Sequence, residues 1–187
     1  MATNIRLDAA AVRVLAHPLR SRLLSALRLH GPATATELAG RLDTNTGATS
    51  YHLRKLESVG LVEDTGEGEG KRRVWRAASE YHSWRPSDFA GDEDAETSLG
   101  WLTRDYVRIA AEHMQKWFDV EHTWPIEWRD ALGLSDDVVL VTAAQAKALQ
   151  DEVIAVVARY KKAGADDPSA RRVSVWHMTH PLETEQP

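Results

Sequence analysis

Residues 34–60 read TATELAGRLDTNTGATSYHLRKLESVG, and the fold is decided there. Thr34 followed by Glu37 is a capping box. The Thr34 hydroxyl can accept from the Glu37 amide while the carboxylate reaches back to the Thr34 amide. The pair opens a short helix over about 35–42, with Leu38 and Leu42 turned inward. Asp43-Thr44 makes a tight turn, and Asn45 is placed to cap a second helix, roughly 46–59, which Gly60 stops. On that helix Leu53 and Leu56, with Thr49, share the inner face. Thr46, Gly47, Ser50, Tyr51 and Arg54 share the outer one.

Upstream, Asp8 can cap a helix over about 9–30 whose stripe is Leu15, Leu19, Leu23 and Leu27, with Val12 and Leu24 beside it. His17-Pro18 interrupts the stripe, because proline inside a helix removes a hydrogen bond and crowds the preceding turn. A break is expected there, with Pro18 in the first turn of the second piece. Downstream lies a hairpin: strand 61–65, the glycine-rich tip 66–70, and a return strand 71–76 that opens Lys71-Arg72-Arg73. Two short helices joined by a tight turn, after a longer helix and before a basic hairpin, describe a winged helix-turn-helix. Small hydroxyl residues near the helix start suit close approach to base edges in the major groove. The helix N-terminal amides, Arg54 and Lys55 can hold phosphates. The expected DNA-contact set is Thr46, Gly47, Ser50, Tyr51, Arg54, Lys55, Lys71, Arg72 and Arg73. Glu67 and Glu69 at the tip would repel phosphate, which favours Arg72 and Arg73. His52 is expected at the helix–wing junction, and a Ser50/His52 catalytic pair is disfavoured because near neighbours on a helix point apart.

The 187 residues carry a formal charge of -5, which taken whole suggests no affinity for nucleic acid. The total conceals a split. Residues 1–85 hold 13 Lys/Arg against 9 Asp/Glu, and residues 86–187 hold 10 against 19. A basic first half and an acidic second half suggest two tasks. The absence of Cys excludes disulfides and thiolate metal sites. The first residues lack a signal-peptide pattern and no apolar run approaches a membrane span, so a cytoplasmic protein that avoids membranes is expected.

The expected architecture is α+β, mostly α. A winged helix-turn-helix domain (8–84) is followed by a polar, acidic linker (85–94) and a dimerisation and possible effector region (95–187). That region begins with a long helix, about 95–120, whose stripe of Leu99, Leu102, Tyr106, Ile109, Met114 and Trp117 reads as a dimer seam. Residues 122–136 read as irregular. A small strand–helix–strand region ends the chain: strand 138–141, a helix opened by the Thr142/Gln145 capping box, and strand 172–178. Trp101, Trp117, Trp124 and Trp128 could wall a pocket for a small-molecule effector, although filling a core or interface is the commoner use of such residues. His177 and His180 would lie on opposite faces of their strand, which argues against a metal site. No nucleotide-binding, metalloprotease or hydrolase motif is present. Neither an enzyme nor a cofactor is expected.

Four segments carry a resemblance: LAHPLRSRLL (15–24), TELAGRL (36–42), TSYHLRKL (49–56) and GLV (60–62). In this order and spacing, over residues 12–78, they resemble the ArsR family of bacterial winged-helix regulators. The resemblance implies a homodimer that binds a pseudo-palindromic operator in double-stranded DNA, usually as a repressor controlled by an effector. It also implies that Ser50, Tyr51 and Arg54 lie in the reading helix. The metal-sensing residues do not carry over. Ala39-Gly40 follows Glu37-Leu38 where those members place a Cys pair. His113, preceded by Ala111-Glu112, has only His122 nine residues on and no further ligand. More loosely, Trp124 to Trp128, Val141-Thr142 and Val173 to Pro181 resemble the C-terminal extension of actinobacterial-type members. A rival expectation is a winged-helix interaction module whose acidic C-terminal region binds a protein partner.

Overall fold

A computed structural model describes residues 4–182 apart from Glu69 and Lys71. The chain forms two compact units, Met1–Glu112 and His113–Pro187.

The first unit opens with strand β1 (Asn4–Arg6) and helix α1 (Ala9–Leu15). The Asp8 carboxylate accepts from the Ala11 amide at 2.8 Å and caps α1. The chain breaks at Ala16-His17, and α2 (Pro18–His30) starts with Pro18 at a position whose missing N–H has no helical partner to lose. His17 Nδ1 accepts from the Leu19 amide at 3.1 Å. Gly31 closes α2 at φ +83°, a conformation that favours glycine. Strand β2 (Ala33–Thr34) leads into α3 (Ala35–Arg41), where both hydrogen bonds of the Thr34/Glu37 capping box form. Helix α4 (Thr46–Glu57) follows, then β3 (Val62–Asp64) and β4 (Val74–Ala77). These give an antiparallel sheet of order β2-β4-β3, in which Val62 pairs with Ala77 and Ala33 with Trp75. The short strand β5 (Tyr81–Ser83) lies parallel to β1, a pairing the sequence reading did not contain.

The stretch 85–94 is not a linker. Pro86–Asp88 forms one 3-10 turn, Phe89 is 1% exposed, and helix α5 (Glu93–Val120) is already under way at Glu93. Its acidic residues serve as tethers to the N-terminal segment. Asp88 takes a forked bond from Arg6, and Asp92 accepts two hydrogen bonds from Arg13, at 2.8 and 2.9 Å, and one from the Ala95 amide at 3.0 Å. The composition of a linker and that of an ion-paired turn are the same, and only the partners distinguish them. The first half of α5 then packs on the helix-turn-helix core. Ala95, Leu99 and Leu102 join Val12, Leu15, Leu23, Leu53 and Leu56 in one buried cluster, and the unit ends at Glu112 within α5.

In the second unit the end of α5 is followed by a 3-10 turn (Glu121–Thr123), α6 (Ile126–Ala131) and α7 (Ala143–Tyr160). Helix α6 occupies part of the stretch read as irregular. The Thr142/Gln145 capping box of α7 forms as expected. The two expected strands do not: among the described residues, 138–141 and 172–178 belong to no ladder. A strand needs a neighbouring strand for its backbone N–H and C=O groups, and neither segment lies beside one among the described residues. No residue from 113 to 182 is buried. No helix among the described residues is long and apolar enough to cross a membrane.

Candidate nucleic-acid interface

The turn between α3 and α4 holds the interface in place. Asp43 adopts φ +51°, and the Thr44 amide donates back to the Ala39 carbonyl at 3.0 Å. Asn45 Oδ1 accepts from the Ala48 amide at 2.8 Å, capping α4. A Cβ on Gly47 would stand 3.3 Å from that oxygen, tighter than an ordinary contact, so glycine keeps the capping oxygen uncrowded. Thr49, Leu53 and Leu56 are buried. Thr46, Gly47, Tyr51, Arg54 and Lys55 are exposed and Ser50 is half-buried, so the two faces divide as the sequence implied. Tyr51 is 55% exposed, with Lys55 Nζ 5.7 Å from the centre of its ring.

The wing stands beside this face. Arg54 of α4 lines an open cleft of about 440 Å³ together with Asp64, Gly66, Gly68, Gly70, Arg72 and Arg73. Gly68 is required there, since a Cβ on it would fall 1.7 Å from the Arg72 carbonyl oxygen. Arg72 lies 3.6 Å from Glu37. Arg73 lies 3.4 Å from Asp64 and 3.6 Å from Glu57, with its guanidinium 5.7 Å from the Trp75 ring centre. Exposed pairs of this kind hold a side chain loosely, contributing about 0–1 kcal/mol. They aim the wing arginines and can yield to a phosphate. Lys71, also expected in this set, lies outside the described residues.

His52 does not sit at the wing. It packs on His17 at the α1–α2 break, ring centres 4.4 Å apart, because its position on α4 faces α2 and not the hairpin. His52 Nδ1 and Arg20 Nε are buried there without a hydrogen-bond partner. Burial pushes both imidazoles below the usual histidine value, and the Arg20 charge adds to it.

The dimer stripe expected on α5 is largely spoken for within the chain. Leu99, Leu102 and Ile109 are buried. Tyr106 belongs to a polar network: Arg28 Nη1 donates to His82 Nδ1 at 2.6 Å, and His82 Nε2 meets the Tyr106 hydroxyl at 2.7 Å. Arginine only donates, so Nδ1 must accept and the Nε2–H donates to Tyr106. Burial pushes His82 down to about 3, with Arg28 adding to it, and burial raises Tyr106. Next to Tyr106 in the chain, buried Asp105 accepts from Ser21 Oγ at 2.7 Å and from Arg108 at 2.5 Å. Met114 is exposed and Trp117 half-exposed. The outward apolar face of α5 is instead Val107, Met114 and Phe118, all exposed. The helix is apolar on two sides, and spacing along one stripe could not say which side meets the core.

The four tryptophans divide between the units. Trp101, in the first, borders a shallow depression of about 410 Å³ with Pro18, Arg104, Asp105 and Arg108. Trp117, Trp124 and Trp128, in the second, form consecutive edge-to-face contacts at 5.4 and 6.0 Å between ring centres.

Residues 15–65 match the family model described as "Helix-turn-helix domain". No curated protein matches the chain. Among solved structures, the chain is similar to a possible transcriptional regulatory protein (fragment 1-100) from Mycobacterium bovis. The identity is 25%, with 56% of this chain and 89% of that one covered and a TM-score of 0.34. It is also similar to the homodimeric winged helix-turn-helix DNA-binding domain Mb0332 from Mycobacterium bovis, a possible ArsR-family transcriptional regulator. There the identity is 24%, the coverage 58% and 81%, and the TM-score 0.35. Lactococcus lactis ZitR, as a C30AH42A mutant in apo form, matches at 12% identity, 76% and 84% coverage and a TM-score of 0.31. The matched model spans the same residues as the ArsR-like segments. Residues 15–65 form a helix-turn-helix domain, and with the β2-β4-β3 sheet the first unit has a winged helix-turn-helix arrangement that includes the first half of the long helix α5.

Proposed function

We propose that this winged helix-turn-helix protein is a dimeric, sequence-specific repressor of ArsR type. Helix α4 enters the major groove, with Thr46, Ser50, Tyr51 and Arg54 toward the base edges. Lys55, Arg72 and Arg73 hold flanking phosphates, and Lys71 extends that set. The observation that carries this reading is the juxtaposition of the exposed α4 face with a cleft lined by three guanidiniums, Arg54, Arg72 and Arg73. Phosphates supply affinity and base edges supply selection.

Two copies would place two reading helices about 34–36 Å apart, one turn of DNA, on a pseudo-palindromic operator. Val107, Met114 and Phe118 lie seven and then four residues apart on α5, which is the spacing of a helix–helix seam. They replace Leu99, Leu102, Tyr106 and Ile109 as the proposed contact. A small-molecule effector would act through the tryptophan-bearing surfaces.

The test is selection of bound DNA from random sequence by the full-length protein, then gel shifts at several salt concentrations. A two-fold symmetric consensus bound at least about a thousandfold more tightly than random DNA supports the reading. Equal binding to all sequences, or none, would replace it with the protein-interaction alternative.

A further inference from the structure

Arg20 stands in the first turn of α2, against the reading helix and away from the wing. Its Nε is buried with no hydrogen-bond partner, and among the described residues Arg20 forms no ion pair. Burial pulls Arg20 below the usual arginine value, and what opposes that pull is the Tyr51 hydroxyl, not a carboxylate. Arginine stays protonated and only donates, so a desolvated guanidinium without a counter-charge is costly. Its other neighbours supply no negative charge. The rings of His17 and His52 lie 4.4 Å apart, His52 meets Tyr51 edge-on at 5.1 Å, and the Arg20 charge lowers both imidazoles. His52 Nδ1 is a second buried nitrogen there without a partner. Orphaned buried groups are few in native proteins, and each calls for an explanation.

The place of Arg20 in the fold says which anion would answer it. Residues turn by about 100° each around a helix axis, so on α4 exposed Tyr51 lies between Arg54 and His52. Arg54 faces the wing cleft with Arg72 and Arg73, and His52 faces α2. Arg20 and the wing arginines therefore flank the reading helix on opposite sides. The major groove is about 12 Å wide and is walled by two phosphate backbones. A helix lying in it meets one backbone on each side, and the wing supplies guanidiniums to one side only. A phosphate on the α2 side would bring the negative charge that Arg20 lacks, in a geometry that suits the guanidinium fork.

We infer that Arg20, beside Tyr51, holds a backbone phosphate of double-stranded DNA on the α2 side of the reading helix, across from the wing. This inference rests on the DNA-binding reading proposed above and adds a contact to it. The test uses full-length Arg20→Gln, with folding checked by circular dichroism and Arg20→Met in its place if the glutamine chain does not fold. The probes are the duplex selected from random sequence and a random duplex of the same length. Affinity for both should fall about tenfold, and the salt slope by about one for each bound copy. Arg20→Lys, which keeps the charge, should keep most of the slope. As a second measurement, single phosphates of the selected duplex are replaced by neutral methylphosphonates. One such replacement should weaken the wild type and leave Arg20→Gln unaffected, and the absence of any such position overturns the inference. An unchanged slope in Arg20→Gln, while the wild type still selects its site, overturns it and leaves the DNA-binding reading intact. If that variant also loses dimerisation in sedimentation, the missing counter-charge is a carboxylate of a second copy. Altered sequence preference at full slope overturns it in favour of Arg20 positioning Tyr51. A wild type that binds neither duplex overturns it together with the proposed function.

Discussion

Arg54 and Arg72 are both exposed arginines at one cleft, but they belong to different jobs. Arg54 stands on the reading helix and, among the described residues, forms no ion pair of the kind that holds Arg72 to Glu37. Arg54→Ala should therefore weaken binding to the selected operator by about 1–3 kcal/mol and relax preference at one position. Arg72→Ala should weaken all sequences evenly and lower the salt slope by about one. Competition gel shifts at two salt concentrations separate the two effects, and an evenly acting Arg54→Ala would remove it from base reading. Three partly buried imidazoles give a pH signature. His17, His52 and His82 are all held below the ordinary value by burial, so the folded state favours their neutral forms. The stability they contribute is complete above about pH 6.5. It falls with decreasing pH as the unfolded chain takes up protons that the folded chain refuses, down to about 3 for His82. The urea midpoint should drop between pH 7.5 and 5.5, and His52→Gln should shrink the drop. An equal drop in that variant would assign the effect to other groups.

Capping decides the elements. Asp8, Thr34, Asn45 and Thr142 each stand before a helix and accept the bond their side-chain chemistry offers. Those helix starts were legible because a cap is a local event. The wing was legible for the same reason, and Gly68→Ala should force its two arms apart at the Arg72 carbonyl. Operator affinity should then fall several-fold with the thermal midpoint nearly unchanged, as gel shift and calorimetry would show. A large loss of midpoint would mean the wing is structural. Helix α5 was read less well. Leu102→Ala should cost about 2–5 kcal/mol of stability in chemical unfolding because it empties core space. Phe118→Asp should leave unfolding of the first unit unchanged and weaken dimerisation in sedimentation. The reverse pattern would restore the original seam. β1 and β5 went unread because three-residue strands carry no periodicity, and their pairing joins residues 77 apart.

At the scale of the whole molecule, the boundary between units falls inside α5, at Glu112, and not in the acidic stretch before it. A chain ending at 112 keeps Phe89, Ala95, Leu99 and Leu102 in the core, whereas one ending at 94 loses three of the four. The longer fragment should melt cooperatively by circular dichroism, and the shorter should show no cooperative transition. A cooperative 1–94 fragment would put the boundary back in the stretch 85–94. The charge division persists in altered form: the cationic cleft belongs to the first unit, and part of the acidity of residues 86–187 is consumed in tethers such as Asp88 to Arg6 and Asp92 to Arg13. The sequence alone determined the caps, the break at Pro18, the two faces of α4 and the Val74–Arg76 part of the return strand, because each depends on residues within a turn or two of one another; Arg72 and Arg73, read as part of that strand, lie before it. Tertiary structure alone decided that α5 spends its first stripe on its own core, that His52 meets His17, and that residues 138–141 and 172–178 join no strand ladder among the described residues. Each of those outcomes depends on which distant surface arrives first at an apolar face, and a one-dimensional pattern records the face but not its partner.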